Sequence, residues 1–173
     1  MISRASIDFR RLAFRCLVPL VCFLLAGPVH GRCAADESEA ILQVYRPLLA
    51  EYSRLVLGVR DSEAIAFALE KNMASTALQK LFKAEQRLRN KEGMGRLDFD
   101  LFFNAQDECG KPLRILGLTL ETQVALLTVS NGCKGMKPYV FVLVKESGRW
   151  VIDDARYDVD GKIWTLQGIL KAK

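Results

Sequence analysis

The chain has 173 residues, with 25 Lys and Arg against 20 Asp and Glu, a formal net charge of +5, and a single histidine, His30. Five of the basic residues, one acidic residue and His30 lie in the first 35 positions, so the remainder carries 20 basic and 19 acidic residues, a net charge of +1. This balance does not indicate an electrostatic footprint for nucleic acid. The chain after residue 35 contains no histidine. That part of the chain therefore cannot form a Ser-His-Asp or Cys-His catalytic site or a histidine-based zinc site.

Residues 1–35 predict a secretory signal peptide that is removed. A segment with four arginines precedes an apolar run of about fourteen residues, CLVPLVCFLLAGPV, which small residues follow. This run is too short to span a membrane, and we expect cleavage after Gly31 or after Ala35. Cys33 does not follow the Leu-x-[Ala/Gly] tripeptide of a lipoprotein. We therefore expect a periplasmic protein without a stable membrane anchor, and an uncleaved anchor is the alternative.

The first predicted helix covers ESEAILQVYRPLLAEYSRLV. Apolar residues at spacings of three and four predict one buried face. We expect Pro47 to kink or restart the helix, because proline removes one backbone hydrogen bond and crowds the preceding turn. The residues of the predicted buried face are Ile41, Val44, Leu48, Tyr52 and Leu55.

Two further helices are predicted before residue 96. Asp61 is a suitable N-cap for SEAIAFALEKN, and Ser75 is a suitable N-cap for the third helix. The glycines of KEGMG predict the end of that helix, since glycine readily adopts positive φ. The residues predicted to face inward are Ile65, Ala68 and Leu69 in the second helix and Leu78, Leu81, Phe82 and Leu88 in the third.

The stretch LDFDLFFNAQDECG, residues 97–110 and here called the acidic loop, mixes carboxylates and amides with phenylalanines. Its oxygen atoms suit Ca²⁺, but phenylalanines stand where an EF-hand-like loop needs its third ligand and its glycine, so we expect no metal. Two interpretations remain: a turn whose aspartates cap backbone N–H groups, or an exposed recognition surface. The candidate recognition residues are Asp98, Asp100, Asn104, Gln106 and Asp107.

Four segments after residue 112 predict an antiparallel meander: LRILGLTLE, QVALLTVS, YVFVLVKE and RWVIDDARY. Cys109 and Cys133 lie equally far from position 121, in the turn of the first hairpin, so they face each other at its open end. This symmetry predicts a disulfide, which export would permit, and two free thiols are the alternative.

The tail YDVDGKIWTLQGILKAK predicts a turn at residues 158–161 and then a short C-terminal helix. Its apolar face is expected to pack on the sheet or the first helix, and a partner-binding helix is the alternative. The face consists of Trp164, Leu166, Ile169 and Leu170. The whole pattern predicts one α+β domain over residues 36–173: three N-terminal helices packed against a curved four-stranded antiparallel sheet, followed by that helix.

The order of these elements resembles an uncharacterised family of bacterial envelope proteins, domain of unknown function 3828. The motifs that carry the resemblance are Asp98-Phe99-Asp100 with Asn104-Ala105-Gln106-Asp107, and Trp150-Val151-Ile152-Asp153-Asp154. The resemblance covers about residues 38–170 and implies a cystatin-like or nuclear-transport-factor-like α+β fold. A proline often follows the second aspartate in the family, and Leu101 stands there in this chain. The family has no assigned catalytic residues that could be transferred.

These observations favour a non-catalytic protein without a cofactor that binds another envelope protein. The most specific version of this prediction is an immunity-type inhibitor of a secreted bacterial toxin. The alternative is a small-molecule-binding or isomerase- or dehydratase-like enzyme that uses a cavity of the cone-shaped fold. Asp153 and Tyr139 would then be the candidate cavity residues, because an acidic base beside a phenol can transfer protons next to a carbonyl.

Overall fold

The spacing of apolar residues changes near residue 113 from a helical period to alternation. The same point divides the fold into a helical part and a sheet. The computed structural model describes residues 34–58, 63–107 and 109–172. Three helices come first in this part of the chain: α1 (Ala34–Gly58), α2 (Ala64–Glu70) and α3 (Thr76–Glu92). Except for Ala34 and Ala35, the predicted signal peptide lies outside the described residues, as does the predicted helix cap Asp61.

A single antiparallel sheet follows the helices. Its strands are β1 (Arg114–Leu120), β2 (Val124–Ser130), β3 (Tyr139–Glu146), β4 (Arg149–Val159) and β5 (Lys162–Thr165), and helix α4 (Leu166–Lys171) follows β5. The strands lie side by side in chain order. The predicted α+β class is therefore confirmed, and the predicted number of four strands is wrong for the described residues.

The fifth strand arises from a tight hairpin after β4. Asp160 and Gly161 form its turn with φ values of 50° and 79°, a combination typical of two-residue hairpins whose twist matches that of the strands. The turn was predicted, but the strand after it was not, because β5 has only four residues and begins directly before a helix. Trp164, predicted to lie on a buried helix face, is instead in β5 and is 52% exposed.

Helix α1 runs without interruption through Pro47, so the predicted restart of the helix is wrong. Its buried face also differs from the predicted one: Val44 is 51% and Leu55 is 40% exposed. Apolar side chains of α1 itself lie on most sides of the helix. Periodicity alone therefore did not determine which side contacts the sheet. The apolar residues that the helix buries are Ile41, Tyr45, Leu49, Tyr52 and Val56.

The caps of α3 form as predicted. The Ser75 hydroxyl accepts a hydrogen bond from the Leu78 backbone N–H at 3.0 Å, and Gly93 ends the helix with a φ of 75°. Leu78 and Phe82 are buried. Glu85 lies on the same buried side, although its charge excluded it from the predicted apolar stripe.

A β-bulge at Asp153 determines which residues of β4 face the core. Leu143 pairs with Ile152 and Val142 pairs with Asp154, which leaves Asp153 without an opposite residue. Ile152 and Ala155 consequently both join the core. The backbone N–H and C=O of Ile152 bond at 2.7 Å each to the segment between α2 and α3, which covers this part of the strand edge.

The Cys109–Cys133 disulfide is confirmed, with a Cα–Cα distance of 5.8 Å. It joins the end of the acidic loop to the chain after β2. The core lies between the helices, the acidic loop and the sheet, and its largest fully buried side chains include Phe102, Phe103 and Phe141. None of the helices in the described ranges combines the length and apolarity needed to cross a membrane.

Candidate functional site

Asp100 fixes the conformation of the acidic loop. Its Oδ1 accepts hydrogen bonds from the backbone N–H groups of Phe102 and Phe103, at 2.8 Å each, and Tyr52 donates its hydroxyl proton to Oδ2. Backbone bonds between Asp100 and residues 104–105 close the turn. Asp100 therefore caps the turn from within, as one interpretation of the sequence predicted, and its carboxylate faces the protein interior.

Three buried side chains hold the backbone of the acidic loop against the sheet. The hydroxyls of Tyr157 and Tyr139 donate to the carbonyl oxygens of residues 101 and 102, and the Asn131 amide donates to that of residue 103 at 2.7 Å. The Asn131 side-chain oxygen also accepts the backbone N–H of Cys133 at 3.0 Å. Consecutive loop carbonyls are thus satisfied by side chains from three places along the sheet, which holds the loop in one conformation.

Glu85 anchors the start of the acidic loop. Its side chain is 1% exposed, and Oε1 accepts the Leu97 backbone N–H at 2.9 Å. Arg89 and Arg96 lie 3.7 and 3.6 Å from the carboxylate oxygens, so the buried charge is compensated. A Cβ atom on Gly95 would lie 2.7 and 2.8 Å from Arg89 side-chain atoms, so this close approach requires glycine. In the sequence, this network was indicated only by the position of Glu85, which falls among the inward-facing apolar residues of α3.

Tyr139 and Asp153, the two candidate cavity residues, form hydrogen bonds within the fold. Tyr139 is 1% exposed, and burial raises the pKa of its phenol well above the ordinary value, so the hydroxyl remains a donor. Asp153 accepts hydrogen bonds from Ser75 Oγ at 2.6 Å and from Gln167 Nε2 at 3.1 Å. Neither residue lines any of the three cavities described below.

The candidate recognition residues separate into two groups. Asp98, Gln106 and Asp107 are exposed, whereas Asn104 and Asp100 are half-buried. Asp98, Asn104 and Gln106 line an open cleft of ≈ 670 Å³, here called the loop cleft. Asp107 and Asp100 do not line it. The structure thus brings three of the five candidates together at one cleft.

Part of the lining of the loop cleft, here called the apolar wall, is accessible. Trp164 is 52%, Val159 48% and Met136 40% exposed, and all three line the cleft. Trp164 lies opposite Tyr157 in the β4–β5 register, so it continues the inner face of the sheet beyond the core. Exposed aromatic and sulfur-containing side chains grouped in this way are typical of protein interaction surfaces.

Charged groups surround this apolar wall. Lys137 and Asp158 form an ion pair at 2.9 Å, and the hydrogen bond from Lys137 lowers the pKa of the Asp158 carboxyl below its ordinary value. Gln106 Nε2 donates to Asp98 Oδ2 at 3.3 Å. An apolar centre with a polar rim is the usual composition of an interface patch.

A smaller recess of ≈ 260 Å³ also uses residues of the acidic loop. Asp98, Asp100 and Gln106 line it together with Glu63 and Arg89. In the part of the chain that the structure describes, no three His, Cys, Asp or Glu side chains are grouped so that they could hold a metal ion.

A third cavity, of ≈ 230 Å³, lies apart from the acidic loop, between α1 and the β3–β4 hairpin.

Comparisons with known proteins provide no further assignment. No protein-family model matches the chain, and neither curated proteins nor solved structures give a match.

Proposed function

We propose that this is an exported periplasmic protein without catalytic activity that binds another envelope protein through the loop cleft. The observation that carries the proposal is the accessible apolar wall of Trp164, Val159 and Met136 in the same cleft as the polar residues Asp98 and Gln106. An apolar centre supplies affinity when it is covered, and polar groups at its edge select the partner.

The rigidity of the acidic loop supports this proposal. Side chains of Asp100, Tyr139, Tyr157 and Asn131 fix its backbone before any partner arrives. A surface that is already ordered loses little conformational entropy on association, so more of the contact energy remains as affinity. The disulfide holds the far end of the same loop and suits an oxidising compartment.

The partner that fits this surface best has a basic cleft beside an apolar contact. Asp98, Asp107 and Asp160 are exposed around the acidic loop and the β4–β5 turn, and their carboxylates would pair with basic side chains of the partner. An immunity-type inhibitor has this design, since its acidic loop would insert into the active cleft of a toxin. The resemblance to bacterial envelope proteins of unknown function is compatible with that role.

Site-specific photo-crosslinking of the full-length chain in its native cells tests the proposal. A photoreactive amino acid at Gln106, in the loop cleft, is expected to give one discrete crosslinked species, whose partner is identified by mass spectrometry. The same group at the exposed Lys83 on α3 serves as the positional control and is expected to give none.

A pair of matched variants makes the test specific. Trp164→Ala removes an apolar side chain of the cleft and is expected to reduce the crosslink at least about tenfold. Leu116→Ala removes a comparably exposed side chain, 58% accessible, from β1 and is expected to leave the crosslink unchanged. Equal crosslinking in both variants, or equal yields from Gln106 and Lys83, would contradict binding through the loop cleft.

The volume of the loop cleft also favours a second candidate. At ≈ 670 Å³ it lies within the range of about 300–1,000 Å³ typical of small-molecule sites. If it binds a metabolite, no protein will be crosslinked at Gln106. A small ligand would then copurify with the protein, and Trp164→Ala would release it.

A further inference from the structure

The third cavity combines apolar walls with three basic side chains, Lys71, Lys145 and Arg149, and one acidic side chain, Glu37. We call it the hairpin pocket, because it lies between the N-terminal half of α1, residues 71–73 and the β3–β4 hairpin. Its volume is ≈ 230 Å³. It shares no lining residue with the loop cleft, so its occupation is independent of the function proposed above.

The walls of the hairpin pocket consist of apolar surface that the core leaves uncovered. Val44, predicted to face inward, is 51% exposed and lines the pocket, and the half-buried Leu48 lies one turn further along α1. The half-buried Trp150 lines the pocket from β4. Apolar side chains from two elements therefore surround a recess that an apolar ligand would fill.

The charges around this pocket are mostly neutralised, with one exception. Lys145 pairs with Glu37, and Lys71 pairs with Glu51 at 2.7 Å. Arg149 donates to the Asn72 backbone oxygen at 3.3 Å and forms no ion pair with any residue of the described ranges. Its planar guanidinium still has donors available, and a carboxylate can accept two of them at once.

We propose that the hairpin pocket binds a small apolar carboxylate. Its apolar body would lie against Val44, Leu48 and Trp150, and its carboxylate would pair with Arg149. The volume, which is below the range of about 300–1,000 Å³ for drug-sized ligands, restricts the occupant to a short chain or a single ring. The guanidinium of Arg149 can pair with a carboxylate but not with an amine, and the apolar walls select against small hydrophilic anions.

Tryptophan fluorescence provides a direct test. The chain has two tryptophans, so Trp164→Phe leaves Trp150, in the pocket wall, as the only indole. The full-length Trp164→Phe protein is titrated with octanoate, 1-octanol and octylamine, each below its aggregation concentration. Octanoate is expected to give a saturable change in emission, with an affinity at least about tenfold higher than that of octanol, and octylamine is expected to give no saturable change.

Two arginine substitutions in the same background locate the anion. Arg149→Gln is expected to lower the affinity for octanoate at least about tenfold and to leave that for octanol unchanged. Arg114→Gln, at another exposed arginine on β1, is expected to change neither. Circular dichroism spectra of the variants verify that they are folded.

The possible results are distinct. Equal affinities for octanoate and octanol would reduce the pocket to a nonselective apolar groove and overturn the proposal. Equal losses in Arg149→Gln and Arg114→Gln would also overturn it, because they would indicate attraction by net charge alone. The absence of any saturable change in Trp150 emission would exclude the site.

Discussion

Asp100 shows how a single side chain can define a loop. Its carboxylate satisfies two backbone N–H groups that would otherwise be buried without partners, and it also accepts the Tyr52 hydroxyl from α1. A neutral apolar side chain could make none of these bonds. The aspartates of the acidic loop therefore have different roles: Asp100 builds the loop, while Asp98 and Asp107 are available to solvent.

Replacement of Asp100 by alanine is expected to lower the free energy of unfolding by about 2–4 kcal/mol, because it leaves buried donors unsatisfied. Urea denaturation measures this change. Asp107→Ala, at an exposed position of the same loop, is the control and should change the free energy by no more than about 0.5 kcal/mol. Similar small losses in both variants would show that the bonds to Asp100 do not stabilise the loop.

Helix α1 contains the clearest conflict between local preference and tertiary structure. Pro47 lies in its interior, where it eliminates one backbone hydrogen bond, yet the helix continues on both sides. The buried side chains of Tyr45 and Leu49, on either side of Pro47, pack into the core. Their burial compensates for the local cost of the proline, so tertiary contacts rather than helix propensity maintain this segment.

Pro47→Ala should therefore stabilise the protein. The exposed position permits alanine, the missing hydrogen bond would be restored, and we expect the free energy of unfolding to rise by about 1–2 kcal/mol. Thermal and urea denaturation measure the gain. Gln43→Ala, an exposed helical position one turn earlier, is expected to remain within about 0.5 kcal/mol of the parent. A loss of stability in Pro47→Ala would mean that the proline ring itself makes favourable contacts.

The sequence predicted those elements whose signals are local. Ser75 and Gly93 mark the ends of α3 through side-chain and backbone chemistry that depends on few neighbours. The face of α1 was not predictable, because apolar residues such as Val44 and Tyr45 adjoin one another and only the sheet distinguishes between them. The bulge at Asp153 was equally hidden, since strict alternation assumes an unbroken register.

The candidate site was predicted in part. Its location was predictable because exposed carboxylates and amides beside aromatics indicate a loop at a surface. The inward orientation of Asp100 depends on Tyr52, which lies 48 positions earlier in the chain. Likewise, Trp164 joins the loop cleft only through its pairing with Tyr157 in the unpredicted strand β5. Contacts between distant segments leave no periodic signal in the sequence.

At the scale of the whole molecule, the disulfide connects the end of the acidic loop to the chain that follows β2. Cys109 and Cys133 are separated by 24 positions, and reduction of their bond is expected to lower the free energy of unfolding by about 3 kcal/mol. Hydrogen exchange of the reduced protein should show faster exchange in the acidic loop than in β2 and β3. The Cys109→Ala/Cys133→Ala variant should not respond to reductant. Uniform acceleration throughout the sheet would instead indicate a general effect on stability.

All four tyrosines of the chain are buried, at positions 45, 52, 139 and 157. Burial raises the pKa values of Tyr45, Tyr139 and Tyr157 above the ordinary value of 10.0. Because the folded state disfavours the phenolates, these groups contribute full stability below pH 10, and that contribution declines as the pH rises toward the folded pKa values. Denaturation at increasing alkalinity should show this decline, and Tyr45→Phe should reduce its slope. An unchanged stability above pH 10 would contradict it.

The buried phenols have a practical consequence for following the protein in solution. Phenolate absorbs ultraviolet light at longer wavelengths than phenol, and a buried hydroxyl bonded to a carbonyl oxygen, as in Tyr139 and Tyr157, does not ionise while that bond persists. At a pH near 10.0, the ordinary tyrosine pKa, the phenolate signal therefore reports molecules in which tyrosines have separated from their partners. Release of the acidic loop can therefore be followed as a change in ultraviolet absorbance, without any attached label.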